Sequence, residues 1–226
     1  MATLPGPHRD PTSGRPADSL VVMLHGIGAS GADLISLADR FSGALPDTAF
    51  HSPDAPSPFA EAPSGRQWYA RSPWEARAEG VRQVEPVVNA FIDELLEGYG
   101  LDPSRCVLLG FSQGSIVSIH TAPRRPAALG GVVALSGAMI TGDTLEAEVA
   151  SKPPFVLVHG IDDTVLPSAE SEAAAAKLTA AGVPVALHLL PGLAHGIDER
   201  GIAIATEFMR EVLAGRGPAP TRQRRA

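Results

Sequence analysis

The chain lacks the features that mark several large classes of protein. Its 226 residues include a single cysteine, Cys106, so no internal disulfide can form. The formal net charge is −7, which gives no global attraction to nucleic acid or to an anionic membrane. No apolar run approaches the length of a membrane span, so no integral membrane association is expected. What remains, with 44% hydrophobic and 19% charged residues, is typical of a globular protein.

The two ends of the chain differ in composition from the rest. The first residues lack a basic patch followed by an apolar core, the pattern of a secretory signal, so we expect a cytoplasmic protein. Residues 1–18 are rich in Pro, Gly and polar side chains, and predict an irregular arm with room for a short edge strand. Residues 215–226 are Gly- and Pro-rich and then basic, which predicts a disordered tail; a basic patch for an acidic partner is the alternative.

Between these ends, short apolar runs alternate with helical patterns. This alternation predicts an α/β protein with a mostly parallel central sheet and helices on both faces. Sites in such sheets lie beyond the carboxyl ends of the strands. The predicted strands are 20–24, 48–51, 105–109, 129–135, 154–158 and 183–190, and the predicted helices are 34–45, 81–96, 115–120, 168–181 and 198–213.

One serine stands where a predicted strand passes sharply into a helix, in the motif Gly110-Phe111-Ser112-Gln113-Gly114. A Gly-x-Ser-x-Gly in that context raises the serine hydroxyl clear of the sheet, and the N–H of the next residue points to the same spot. The bare motif also occurs as an ordinary turn with a serine between glycines. The evidence that Ser112 is a functional serine therefore comes from the flanking strand and helix and from its partner residues.

A serine hydroxyl becomes a useful nucleophile only when a base takes its proton, and histidine is the usual base. Of the seven histidines, His8, His25 and His51 precede the serine motif, and among those after it His195 follows a strand in a glycine-flanked loop, from which its ring can reach across the sheet edge. A carboxylate that orients the histidine is expected between the serine and the histidine along the chain. Asp162 and Asp163, after the strand that ends at Val158, are both candidates, and the residue pattern leaves this choice open.

Acyl chemistry also needs N–H donors fixed where negative charge develops. One candidate is the backbone N–H of Gln113, and the second is the N–H of Ile27, in the glycine-dense loop after the first central strand. His25, at the start of that loop, is expected to be structural. A metal site is not expected, because His25, His159 and His195 form no close ligand pair.

The longest irregular stretch, residues 52–73, carries several aromatic side chains. Long loops in compact domains are usually functional or disordered. Phe59, Trp68, Tyr69 and the nearby Trp74, if exposed, would form an apolar wall for a substrate. The alternative is that these side chains only pin the loop to the body of the protein.

Taken together, these motifs resemble the phospholipase/carboxylesterase family of α/β-hydrolases, which includes the acyl-protein thioesterases. The similarity covers nearly everything from Leu20 to Leu213. One departure is that the family's aromatic pair followed by Asp is here Trp68-Tyr69-Ala70. The motifs that carry the resemblance are Leu24-His25-Gly26-Ile27-Gly28-Ala29-Ser30-Gly31, Ser52-Pro53-Asp54-Ala55-Pro56, Gly110-Phe111-Ser112-Gln113-Gly114, His159-Gly160-Ile161-Asp162-Asp163-Thr164-Val165-Leu166-Pro167 and Gly192-Leu193-Ala194-His195-Gly196.

The resemblance implies an α/β-hydrolase fold without a large cap domain, with the catalytic domain spanning residues 19–214. It implies a serine hydrolase that needs no cofactor and acts on carboxylic esters, with thioesters or lysophospholipids as further substrates. It selects Asp163, because the family's His-Gly-x-x-Asp pattern ends there, and makes Ser112, Asp163 and His195 the catalytic triad. Ile27 and Gln113 then supply the oxyanion donors.

The short intervals between the motif strands leave no room for an inserted cap and predict an open site that favours short to medium acyl chains. Because a fold does not determine its substrate, lactone or peptide hydrolysis is an alternative. A non-catalytic binding protein would usually lack a member of the triad, and all three are present here. The expected partner is a small-molecule ester or acyl substrate. Family members often form dimers, so a homodimer is among the expected states.

Overall fold

The structure, a computed structural model, describes residues 4–71, 73 and 76–216, and a seven-stranded sheet forms its centre. The strands are β1 (His8–Arg9), β2 (Ser19–Leu24), β3 (Thr48–His51), β4 (Ser57–Pro58), β5 (Arg66–Gln67), β6 (Cys106–Phe111), β7 (Gly131–Leu135), β8 (Phe155–Gly160) and β9 (Val185–Leu190). The sheet order is β1-β3-β2-β6-β7-β8-β9, and β4 and β5 form a separate antiparallel pair. Only β1 runs antiparallel in the large sheet, where it pairs with β3.

Helices of very different length connect the strands. The longest, α3 (Arg77–Tyr99), is followed by Gly100 in a left-handed conformation, and α7 (Glu199–Leu213) is capped by Asp198, whose side chain accepts the N–H of Gly201 at 2.9 Å. The helix predicted over residues 34–45 is broken, because a 3₁₀ turn over Ile35–Leu37 separates two short α-helices. The α-helices are α1 (Gly31–Leu34), α2 (Ala38–Phe41), α3 (Arg77–Tyr99), α4 (Gln113–Thr121), α5 (Leu145–Glu148), α6 (Ala169–Ala180) and α7 (Glu199–Leu213).

The sheet is buried on both faces, and strand β2 shows how. Its side chains alternate, as the period of a strand requires. Leu20, Val22 and Leu24 belong to the core that includes α3, α4 and α6, whereas Val21 and Met23 belong to the core that includes α1, α2 and α7. These near-continuous apolar runs are typical of parallel strands covered on both faces. The predicted α/β class with helices on both faces is therefore confirmed.

The described segments between the strands of the large sheet hold helices, loops or the small β4–β5 pair, and none of them folds as a cap domain. No helix in the described ranges is long and apolar enough to cross a membrane. The N-terminal residues include β1, and the carbonyl of Pro7 accepts the N–H of Ser52 at 3.0 Å. The predicted basic tail falls almost entirely on residues 217–226, which lie outside the described part of the chain.

Candidate active site

Ser112 occupies a strained turn between β6 and α4. Its φ and ψ are 54° and −115°, a left-handed φ that residues other than glycine rarely adopt. A side chain at Gly110 would place its first carbon 2.4 Å from the carbonyl oxygen of Gly114, and one at Gly114 would lie 2.0 Å from that of Leu24. Only glycine fits at both places, which is the physical reason for the Gly-x-Ser-x-Gly pattern.

Two hydrogen bonds join Ser112, His195 and Asp163 into one chain. His195 Nε2 lies 2.9 Å from Ser112 Oγ, and His195 Nδ1 lies 2.6 Å from Asp163 Oδ2. The ring of Phe111 packs beside the imidazole, with ring centroids 5.1 Å apart. These three residues come from the carboxyl ends of β6, β8 and β9. Asp162, the other carboxylate of the loop, is exposed to solvent.

The Asp163 carboxylate is buried and fully engaged in hydrogen bonds. Its Oδ1 accepts the N–H groups of Val165 at 2.9 Å and Leu166 at 2.8 Å. Burial alone would raise the pKa of Asp163, but the hydrogen bonds from Leu166, His195 and Val165 outweigh it and hold the pKa below its ordinary value. Asp163 is therefore an anion near neutral pH and orients the Nδ1–H of His195 toward itself.

His159, for which the sequence predicted no contact with the acid, is wholly buried beneath it. Its Nε2 lies 3.0 Å from Asp163 Oδ2 and 2.8 Å from the carbonyl oxygen of Leu166, and its Nδ1 lies 2.7 Å from Ser171 Oγ. Both partners of Nε2 are acceptors, so this nitrogen carries a hydrogen. The sequence pattern that could have indicated this contact is the four-residue spacing of His and Asp in the His-Gly-x-x-Asp motif.

The segments that carry the two candidate oxyanion residues both approach Ser112. Gln113 follows it as the first residue of α4, where the helix dipole favours negative charge. Ile27 lies in the loop after β2, and that loop reaches the serine: a first side-chain carbon at Gly26 would lie 3.3 Å from Ser112 Cβ. The structure therefore brings both backbone segments close to Ser112.

The expectation that the loop aromatics are exposed is wrong for Trp68 and Tyr69, whose exposed fractions are 2% and 7%. Trp68 Nε1 donates to the carbonyl oxygen of His25 at 2.9 Å. The side chain of Gln113 accepts the N–H of Trp68 and donates to the carbonyl of Tyr69, both at 2.8 Å. These contacts pin the loop to the body of the protein, and both residues also line a pocket against α3.

Phe59 differs from the other aromatics, because it is only half-buried. Its ring borders the loop after β2: a first side-chain carbon at Gly28 would lie 3.3 Å from Phe59 Cδ1. Trp74, the fourth aromatic of the sequence analysis, lies outside the described residues. Among the described aromatics of this loop, Phe59 is therefore the one that is not buried.

A pocket of about 390 Å³ lies on the other side of the loop, against α3. Val84 and Val87 of α3 line it together with the segment that contains Trp68 and Tyr69. Its described lining residues include no member of the Ser112, Asp163 and His195 group. This pocket is therefore separate from the hydrogen-bonded chain at the sheet edge.

A parallel sheet with a strained serine turn after one strand, and with an acid and a histidine after later strands, defines an α/β-hydrolase. The profile of the phospholipase/carboxylesterase family matches residues 11–213, and the chain belongs to that family. The resemblance inferred from the sequence motifs is thereby confirmed, and the protein is a hydrolase of the carboxylesterase and thioesterase type.

Individual relatives agree with this assignment. The chain is 27% identical over 201 residues to the esterase YpfH of Escherichia coli K12, covering 87% of this chain and 84% of that protein. It is 30% identical to acyl-protein thioesterase 1 of Aspergillus fumigatus, covering 85% of this chain and 87% of that protein. Among solved structures, esterase PE8 has a TM-score of 0.89 and 40% identity, covering 94% of this chain and all of that one.

Proposed function

We propose that the protein cleaves carboxylic esters through a covalent acyl-enzyme formed on Ser112. The observation that carries this proposal is the continuous hydrogen-bonded chain from Ser112 Oγ through His195 to the buried Asp163, with distances of 2.9 and 2.6 Å. Only a base in contact with the hydroxyl can remove its proton as it attacks. The family membership of the chain supports the same reaction class.

In the first half of the reaction, Ser112 Oγ attacks the carbonyl carbon of the ester while His195 Nε2 takes the hydroxyl proton. The carbonyl oxygen becomes an oxyanion, which accepts the N–H groups of Ile27 and Gln113. When the carbon–oxygen bond to the alcohol breaks, His195 returns the proton to the leaving alcohol, or to a thiol if the substrate is a thioester. Ser112 then carries the acyl group as an ester.

In the second half, water takes the place of the alcohol. His195 removes a proton from the water as it attacks the acyl carbon, and a second oxyanion forms at the same donors. Collapse of this intermediate releases the acid and returns the proton to Ser112. Asp163 stabilises the imidazolium in both halves. His159 donates to the same carboxylate oxygen, so the acid is held from two sides.

For the substrate, we propose esters of short to medium acyl chains, with thioesters as a second group. Support comes from the described connections, which include no cap that could enclose a long chain. Phe59 is the half-buried apolar side chain that borders the oxyanion loop. Such an open site covers a few methylene groups on one side, and each unburied methylene forgoes about 0.8 kcal/mol.

The expected cytoplasmic location, the homodimer and the domain limits stay predictions.

Labelling with a fluorophosphonate tests the proposed nucleophile. The reagent should form a covalent adduct on Ser112 in the folded protein, since its hydroxyl contacts His195 and the residue is only half-buried. Ser171, whose hydroxyl contacts His159, is wholly buried and should not react. Peptide mapping by mass spectrometry locates the adduct, and denatured protein serves as the control that should not react. An adduct on another serine, with Ser112 unlabelled, would show that the nucleophile is assigned wrongly.

A series of p-nitrophenyl esters tests the acyl site. The value of kcat/KM should rise from acetyl to roughly butyryl or octanoyl and then level off, because longer chains meet no further protein surface. Phe59→Ala should lower kcat/KM about three- to tenfold for octanoyl esters and less than about twofold for acetyl esters. Val87→Ala, in the separate pocket against α3, is the matched control and should leave the series unchanged. A steady rise of kcat/KM up to palmitoyl esters that Phe59→Ala leaves unchanged would refute the shallow site.

A further inference from the structure

We propose that His25 is a positioning residue for the oxyanion donor of the loop after β2, because its ring holds the carbonyl of the same peptide that carries the Ile27 N–H. From the sequence alone, His25 is expected to be structural. The inference rests on the proposed function, in which the Ile27 N–H meets the oxyanion.

Two hydrogen bonds define which ring nitrogen of His25 carries the hydrogen. The ring is 1% exposed, and its Nε2 accepts the backbone N–H of Ala55 at 3.0 Å. Because this N–H can only donate, Nε2 bears no hydrogen. A neutral imidazole then has its single hydrogen on Nδ1, which lies 2.7 Å from the carbonyl oxygen of Gly26 and donates to it. Burial lowers the pKa of His25, which keeps the ring neutral.

The carbonyl of Gly26 and the N–H of Ile27 belong to one planar peptide and point in opposite directions. A donor on the carbonyl therefore fixes the direction of the N–H on the other side. It also draws electron density toward the oxygen and makes the N–H a stronger donor. The N–H of Ala29 donates to the same carbonyl at 3.3 Å, so His25 supplies the shorter of two hydrogen bonds to this carbonyl.

The backbone of His25 is fixed as well. Its carbonyl oxygen accepts Trp68 Nε1–H, and the backbone N–H of Trp68 donates to the side chain of Gln113. Trp68 thus ties the loop with Ile27 to the residue that supplies the other oxyanion donor. Oxyanion donors lower the barrier only when they are held in place before charge develops, and these contacts hold both of them.

Two substitutions separate the roles of the two ring nitrogens. In His25→Asn, the side-chain amide lies where Nδ1 lies and can still donate to Gly26, but the acceptor for Ala55 is lost. In His25→Gln, the longer side chain can accept from Ala55, but the donor to Gly26 is lost. Both variants remove a buried ring and both should lower Tm. Only His25→Gln should strongly impair the chemical step.

The assay uses p-nitrophenyl butyrate and a trifluoromethyl ketone, which Ser112 would trap as a tetrahedral oxyanion. For His25→Gln we expect kcat to fall about 10- to 100-fold, somewhat less than the loss of a whole oxyanion donor, with KM within about twofold. The inhibition constant of the ketone should rise by a similar factor. His25→Asn should retain kcat within about threefold. Equal losses in both variants, or a fall in kcat without a weaker ketone, would overturn the inference.

A measurement on the unsubstituted protein covers the case in which His25→Gln does not fold. The ¹⁵N spectrum of the imidazoles should show His25 with its hydrogen on Nδ1 from pH 6 to pH 8, and a hydrogen on Nε2 would overturn the inference.

Failure of the proposed function has a different signature. Fluorophosphonate would then label a serine other than Ser112 in the wild-type protein, and the role of His25 would fall with it. Labelled Ser112 with two equally impaired His25 variants would overturn the role of His25 alone.

Discussion

Replacing Ser112 with alanine should lower kcat for p-nitrophenyl butyrate by about 10⁴-fold or more while the protein stays folded. The substitution removes the attacking oxygen and nothing else, since the strained φ of 54° is set by the close packing of Gly110 and Gly114. Without the oxygen no acyl-enzyme can form. Steady-state kinetics measure the loss, and circular dichroism shows whether the fold persists.

Ser115→Ala is the matched control, because Ser115 is a buried serine of α4, three residues after Ser112. It makes none of the contacts of the hydrogen-bonded chain and should leave kcat within about threefold of wild type. A loss below about tenfold in Ser112→Ala would contradict the proposed mechanism, whatever the control shows. Loss of folding in both variants would point instead to a packing role for the helix.

Replacing Asp163 with asparagine should lower kcat by roughly 10²- to 10⁴-fold, whereas Asp162→Asn should change it less than about twofold. In the native site both oxygens of Asp163 accept hydrogen bonds. Oδ1 accepts the N–H groups of Val165 and Leu166, and Oδ2 accepts hydrogen bonds from the rings of His195 and His159. An asparagine NH₂ group would face donors in either orientation. The histidine would be drawn into the wrong tautomer or left without its partner.

Asp162→Asn is an internal control of matched chemistry, since Asp162 is the neighbouring carboxylate and is exposed. Steady-state kinetics of both variants at pH 7 give the comparison. A small effect of Asp163→Asn, or a large effect of Asp162→Asn with folding intact, would contradict the assignment of the acid.

The same carboxylate should contribute to stability in a pH-dependent way. Its pKa is lower in the folded protein than its ordinary value, so the ionised form stabilises the fold above about pH 4, the unfolded value. This contribution is lost as the pH falls through the lower pKa of the folded state. The difference in unfolding free energy between wild type and Asp163→Asn should therefore be full at pH 7 and shrink in acid.

The amino-acid sequence by itself determined the parts of this protein that depend on neighbours along the chain. Apolar runs placed the six parallel strands within two residues of their observed ends, because parallel strands covered by helices on both faces are largely apolar. The serine turn was also readable, since Gly110 and Gly114 leave a local signature of close backbone approach. The order Ser, Asp, His then followed from the alternation of strands and helices.

Only the tertiary structure decided how side chains far apart in sequence meet. The loop after β8 turns Asp163 inward and leaves Asp162 in solvent, a choice that the residue pattern left open. Trp68 is buried because its indole N–H finds the carbonyl of His25, 43 residues away. The hydrogen on His25 is likewise set by the N–H of Ala55, 30 residues away. Burial and hydrogen-bond direction depend on partners that only folding brings together, and no local pattern records them.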